Sequence, residues 1–255
     1  MTIHKYILLL LSCLLLLFYC NKIEYFSNKE NIVHLFWTGG YDSTFRLCQA
    51  LIDEKKIVQP YYISSKLDSC STCKLQRKNR IQELKSIKKV LRMIKNKFPE
   101  VANNVLPIIF VDSIDENLDI TNTFYKLKLH NSHRKYNQYE AMSRYATQIN
   151  KKMEVGTVGI IGDGSGKLPN DRWGRYLRAN MVNINGHYSD VNKNSPIANL
   201  RFPLSYLSKS DMKDMAITGE YIDIISQSWS CWYPRNGKPC GRCNMCRERI
   251  IRHQL

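Results

Sequence analysis

The stretch Asn31-Ile32-Val33-His34-Leu35-Phe36-Trp37 is β-rich and apolar, and it runs directly into Thr38-Gly39-Gly40-Tyr41-Asp42-Ser43-Thr44. The pattern predicts a buried strand entering a glycine turn. From Asp42 to Glu54, apolar residues recur at Phe45, Cys48, Leu51 and Ile52, a helical spacing. A strand, a glycine turn and a helix in this order form an anion-binding arrangement. The glycines let the backbone come close to a phosphate, and the helix start offers N–H groups and the positive end of its dipole. Thr38, Ser43 and Thr44 add hydroxyl groups, and Asp42 either holds Mg²⁺ or caps the helix. The Gly-x-x-x-x-Gly-Lys and Gly-x-Gly-x-x-Gly patterns are both missing here.

Outward from this turn, strands and helices alternate. Ile57 to Ser65 reads as a second strand, and Leu75 to Phe98 as a long amphipathic helix. Ile81, Leu84, Ile87, Leu91, Ile94 and Phe98 form its apolar face, and the other face is crowded with Lys and Arg. Val105 to Val111 reads as a third strand and Glu140 to Lys152 as a helix. Val155 to Ile161 reads as a fourth strand, leading into Gly162-Asp163-Gly164-Ser165-Gly166. Such alternation predicts an α/β fold, a parallel sheet with helices on both faces. No internal repeat or low-complexity linker interrupts it.

The cysteines are clustered. Of 9 in the chain, Cys231, Cys240, Cys243 and Cys246 crowd the C-terminal end, whereas a disulfide scaffold would spread its pairs. Four thiolates with short spacings suit one tetrahedral Zn²⁺, and Pro239 and Gly241 favour the turn they need; an iron–sulfur cluster is the other occupant of such a set. Cys70 and Cys73 form a separate Cys-x-x-Cys pair.

The chain has 255 residues, 44% apolar, with a formal net charge of +16. That length and composition suit one α/β domain with a small appendage and exclude wholesale disorder. The charge favours anionic partners. Tyr6 to Cys20 carries no charge. It is short of the roughly 20 residues that span a bilayer, and no small-x-small cleavage site follows it. Residues 1–29 are therefore an apolar N-terminal anchor or a leader. By the positive-inside rule, an anchor at residues 6–20 leaves the globular part in the cytosol. Residues 30–228 form the main domain and 229–255 the zinc-binding element.

Thr38 to Thr44 resembles the Ser-Gly-Gly-x-Asp-Ser loop of the PP-loop ATP pyrophosphatases, whose fold is adenine nucleotide alpha-hydrolase-like. That family cleaves ATP between the α and β phosphates and moves AMP onto a substrate oxygen. With Ser230-Cys231-Trp232 and Cys240-Gly241-x-Cys243-x₂-Cys246-x-x-Arg249, the chain resembles the 7-cyano-7-deazaguanine synthase, or QueC, family. Asp163-Gly164-Ser165-Gly166 and Pro169-Asn170-Asp171-Arg172 are similar to that family's Asp-x-Ser-Gly-x-Pro-Asp-x-Arg segment, with one residue inserted. Pro203-Leu204 and Lys209 also match. The family's Gly-Arg-Asn segment has only His133-Arg134-Lys135 as counterpart. The basic helix and the N-terminal apolar run are not features of the family.

The resemblance implies conversion of 7-carboxy-7-deazaguanine and ammonia to 7-cyano-7-deazaguanine through adenylated acid and amide. Thr38, Gly39, Gly40, Tyr41, Asp42, Ser43 and Thr44 would bind ATP as co-substrate. Asp42, with Mg²⁺, Ser43 and Arg172 would be catalytic, and Asp163, Ser165, Asp171 and Arg172 would hold the substrate. The zinc on Cys231, Cys240, Cys243 and Cys246 would be structural, because four thiolates leave no open position. A homodimer is implied, and nucleic acid is not required. The competing expectation is a PP-loop enzyme that adenylates a base in tRNA, as in thiolation, or another carboxylate; the charge, the basic helix and Cys70-x-x-Cys73 fit the tRNA reading.

Overall fold

The computed structural model describes residues 31–63, 78–127, 138–158, 172–184 and 187–253. Backbone contacts divide the chain into Met1–Ile32 and Val33–Leu255. The second unit carries the α/β fold. Its elements are β1 (Ile32–Phe36), α1 (Tyr41–Cys48), β2 (Ile57–Ile63), α2 (Arg80–Lys97), α3 (Pro99–Ala102), β3 (Ile109–Val111), α4 (Leu118–Lys126), α5 (Gln138–Gln148) and β4 (Met153–Val155). There follow α6 (Arg172–Asn180), β5 (Met181–Ile184), β6 (His187–Val191), β7 (Leu200–Arg201), α7 (Lys209–Thr218), α8 (Ile222–Ile225) and α9 (Asn244–His253).

Five strands form one sheet in the order β3-β2-β1-β4-β7, and β5 and β6 pair as an antiparallel ribbon. Leu35 lies opposite Glu154, Tyr61 opposite Ile109 and Met153 opposite Leu200, each in parallel register. The period of 2 sorts the core. Val33 and Leu35 of β1, and Trp37 just past its end, face a layer containing Phe45, Ile87, Val90, Ile94 and Tyr221. Phe36, Tyr61 and Ile63 face the opposite layer with Phe124, Met142, Tyr145 and Leu177. Helices thus cover both faces, as the alternation of elements predicts.

The order places β1 beside β2 on one side and β4 on the other. The carboxyl ends of β1 and β4 therefore flank a topological switch point, where open α/β sheets hold their ligands.

Several boundaries differ from the sequence expectations. The fourth strand is Met153–Val155, not Val155–Ile161: Gly156 to Val158 have left the sheet, and 159–161 lie outside the described residues. Buried Glu154 disguised this strand. Its carboxylate receives Arg46 Nε at 2.6 Å, and Arg46 also donates to Gln49 at 2.8 Å and to Glu54 at 3.1 Å. Burial works against the Arg46 charge, but the two carboxylates overcome it and hold its pKa above the usual value. The first helix passes into a π-helical turn at Gln49–Asp53.

Pro107 lacks the N–H a strand needs. The expected strand 105–111 is accordingly an isolated bridge from Val105 to Val58, then β3. The expected helix 140–152 runs instead from Gln138 to Gln148. In the long basic helix, α2 starts at Arg80, and Ile81 is 65% exposed rather than in the core.

Among the described residues no helix is long and apolar enough to cross a membrane. The run Tyr6–Cys20 lies outside them, as do Cys70 and Cys73.

Candidate functional site at the switch point

The turn after β1 is shaped by its neighbours. Gly39 has φ +72°, and a Cβ there would lie 3.0 Å from both Glu83 O and Ile87 Cγ1 of α2, so only glycine fits. Ser86 of α2 donates to Gly39 O at 3.2 Å and to Gln227 O at 2.8 Å. Glu83 is itself fixed in the core by Tyr62 Oη at 2.6 Å and Asn79 Nδ2 at 2.9 Å.

Gly40 is the N-cap of α1, and the first intrahelical bond runs from Thr44 N to Gly40 O at 2.9 Å. The N–H groups of Tyr41, Asp42 and Ser43 precede it, so the positive end of the helix opens at the switch point. Gly156, just past β4, closes the other side. A Cβ there would lie 2.7 Å from Ser43 N and 2.9 Å from Asp42 C. No larger residue could sit against the first turn of α1. Sequence reasoning missed Gly156 because it was read as the interior of a strand; its signal is a glycine directly after a buried strand end.

The hydroxyl and carboxylate groups of the loop divide into two sets. Thr44 is fully buried and accepts a bond from Trp37 Nε1 at 3.1 Å, which makes it framework inside the domain. Ser43 Oγ donates to Gly40 O at 3.3 Å, within the loop. Asp42 does not cap the helix; it is ion-paired with Lys209 of α7. Lys209 Nζ also lies 5.1 Å from the centroid of the Tyr41 ring. Burial pushes the Tyr41 hydroxyl up to about 12, against the opposing charge of Arg249.

Lys209 sits in the first helical turn after a capping box, in which Ser208 Oγ receives Asp211 N at 3.1 Å and Asp211 Oδ2 receives Ser208 N at 2.7 Å. A lysine there opposes the helix dipole. That mismatch is the sequence signal for a cation placed for the loop rather than for its helix.

The four cysteines converge at the other end of the chain. The sulfurs of Cys231, Cys240, Cys243 and Cys246 all lie within 4.8 Å of one another, and Cys240 Sγ is 3.9 Å from Cys246 Sγ. Zn–S bonds of about 2.3 Å in a tetrahedron separate sulfurs by about 3.8 Å, so the set fits zinc. Cys240 N donates to Cys231 Sγ at 3.2 Å and Cys243 N to Cys240 Sγ at 3.3 Å. Gly241 adopts φ +71°, as the tight turn between the two ligands requires. Backbone N–H groups pull the Cys240 thiol down to about 6, whereas burial and neighbouring sulfurs push Cys246 up to about 12. A divalent cation is what would let all four ionise together.

This clasp is bonded to the glycine loop. Trp229 N donates to Gly39 O at 2.8 Å, and Arg249 donates to Ser228 O at 2.8 Å and Ser226 O at 2.9 Å. The loop residues Thr38 to Thr44 and the clasp therefore share one end of the sheet. Of Arg172 only the backbone is described, at the start of α6; Asp163, Ser165, Asp171 and His133-Arg134-Lys135 lie outside the described residues.

No curated protein matches the chain. Residues 175–253, from α6 through the cysteine clasp, match the family model described as queuosine biosynthesis protein QueC. The match stops short of the glycine loop, which is joined to the matched stretch through Trp229, Lys209 and Ser86. Over residues 175–253 the resemblance to the QueC family read from the sequence thus holds.

Proposed function

We propose that this protein is an ATP-dependent ligase of the 7-cyano-7-deazaguanine synthase type, which converts a 7-deazapurine carboxylate and ammonia to a nitrile. The observation that carries the reading is the direct bond between a strand-end glycine loop and a cysteine clasp of the QueC pattern, Trp229 N to Gly39 O at 2.8 Å.

In this reading Thr38 to Thr44 cradle the β and γ phosphates of ATP, with the N–H groups at the start of α1 directed at the anion. Asp42 is the Mg²⁺ ligand, and a cation there would free Lys209 from its ion pair to meet phosphate oxygens. Arg172 offsets the substrate carboxylate; Asp163, Ser165 and Asp171 contact the deazapurine. The clasp zinc would hold the fold and carry no chemistry.

A carboxylate is a poor electrophile because an oxide must leave. Its oxygen attacks the α phosphorus, pyrophosphate departs, and the acid becomes an acyl-adenylate. Ammonia attacks the acyl carbon and AMP leaves with that oxygen, giving the amide. The amide oxygen then attacks a second ATP. Loss of AMP and of the two amide protons leaves the nitrile. Positioning and charge stabilisation supply most of the rate in such transfers.

The test is a substrate panel read by mass. The zinc-loaded protein with ATP, Mg²⁺, ammonium and 7-carboxy-7-deazaguanine should yield the nitrile. AMP formation that requires tRNA and ignores the small acid would overturn this reading in favour of base adenylation in RNA.

A further inference from the structure

Helix α2 carries a feature that adenylation does not use. Lys85, Lys88, Lys89, Arg92 and Lys95 are all exposed. At 100° per residue they fall within about 120° of one another, along about 15 Å of helix. Glu83, Ser86, Ile87, Val90 and Ile94 are buried on the opposite side, the side that reaches Gly39. The stripe therefore faces away from the glycine loop.

Like charges three and four residues apart repel and weaken a helix. Here 85–88, 85–89, 88–92, 89–92 and 92–95 are all such pairs, with no acidic residue between them on the stripe. Among the described residues none of the five has a carboxylate partner, whereas neighbouring Lys97 pairs with Asp223 at 3.0 Å. Ile81 lies on the same stripe, 65% exposed.

We propose that this stripe docks the protein on an acidic phospholipid surface, with the five cations at the headgroups and Ile81 entering the interface. Charge complementarity selects an anionic surface, and an exposed isoleucine among cations suits the headgroup boundary. Nucleic acid fits less well. Arg80–Lys97 contains no aromatic residue to stack a base, and a polyanion on this face would not reach the loop. The charge-free run Tyr6–Cys20 is a second, hydrophobic signal in the same chain. Stable attachment generally needs two such signals, of which a polybasic patch is one.

The experiment is sedimentation of the full-length protein with phosphatidylcholine vesicles, pure or containing about a third phosphatidylserine. At about fivefold per cation, the preference for acidic vesicles should reach at least ~100-fold and collapse in about 0.5 M salt. Lys85→Gln, Lys88→Gln, Lys89→Gln, Arg92→Gln and Lys95→Gln together should bring the preference near one with circular dichroism unchanged. Ile81→Ser should weaken binding a few-fold while the preference for acidic lipid persists. Equal binding to both vesicles by the native protein overturns the proposal, as does a preference that survives salt. RNA binding that the five-fold variant loses, with no vesicle preference in the native protein, would assign the stripe to nucleic acid instead. The salt and lipid comparison on the native protein stands even where the variant misfolds.

Discussion

The glycine loop is wedged among β1, α1, α2 and the strand end at Gly156, whereas the cysteine clasp, one hydrogen bond away, has almost no apolar core. Around the loop, Leu35, Trp37, Phe45, Val90 and Ile94 are buried in a large hydrophobic layer. Around the clasp, among the described residues, Trp229, Cys240 and Met245 are the partly buried apolar residues that pack against the three buried cysteines. Apolar burial holds the first, whereas the second is a donor set that could hold a metal ion. A part that folds with the domain thus lies beside a part that would fold with a metal. Each part can be broken separately, and the two failures should look different.

The largest effect is expected at the clasp. Cys243→Ala should take bound zinc from about one ion per chain to none, since structural zinc contributes on the order of 10 kcal/mol. Metal analysis should show the loss, with solubility falling before any chemical step is measurable. Retention of zinc and full solubility would mean that the clasp does not depend on the ion.

On the other side, Glu154→Gln leaves buried Arg46 with Glu54 as its one remaining carboxylate partner and should cost about 3 kcal/mol in urea unfolding. Zinc content should not change. Gly156→Ala forces a Cβ against Ser43 N and displaces the start of α1. A shift of about 1 Å in a phosphate-positioning turn lowers AMP formation on the order of 100-fold. Zinc should again stay bound, which separates loop damage from clasp damage.

Smaller effects probe the join. Arg249→Lys removes at least one of the two bonds to Ser226 O and Ser228 O, so stability in urea unfolding should fall by about 1 kcal/mol. The clasp should keep its metal while AMP formation falls several-fold. The smallest effect is that of His34 on β1. Burial, and then the charge of Lys151, lower its pKa from 6.5 to about 4. The folded state binds fewer protons than the unfolded chain between those values, so this stabilisation is complete above about 6.5 and disappears as pH falls through 4. Because the ring is only partly buried and solvent screens it, the effect should stay below about 1 kcal/mol. His34→Gln should flatten that part of the pH–stability curve, and an unchanged slope would remove His34 from the account.

The glycine loop and the clasp were legible because both impose short-range demands on the chain. Gly39 and Gly241 adopt positive φ, and the cysteines need short spacings. The alternation of strands and helices gave the layers, since β1 and β2 bury both faces. What was hidden depended on partners distant in sequence. Glu154 reads as a surface residue until Arg46 of α1 meets it. Gly156 reads as strand until α1 presses on it. Lys209 shows a family match and a dipole mismatch, but its role at the loop stays hidden until Asp42 and Tyr41 lie beside it. Ile81 is counted with the apolar face of its helix, yet at 100° per residue it falls among the cations, on the side away from Ile87 and Ile94, and faces solvent.

The most direct measurement is the fate of ATP on the zinc-loaded, full-length protein with Mg²⁺, ammonium and 7-carboxy-7-deazaguanine, followed by phosphorus NMR. Cleavage between the α and β phosphates, giving AMP and pyrophosphate at about two per nitrile, is the predicted result. Release of ADP and phosphate, or no turnover of ATP with any acid, would contradict it.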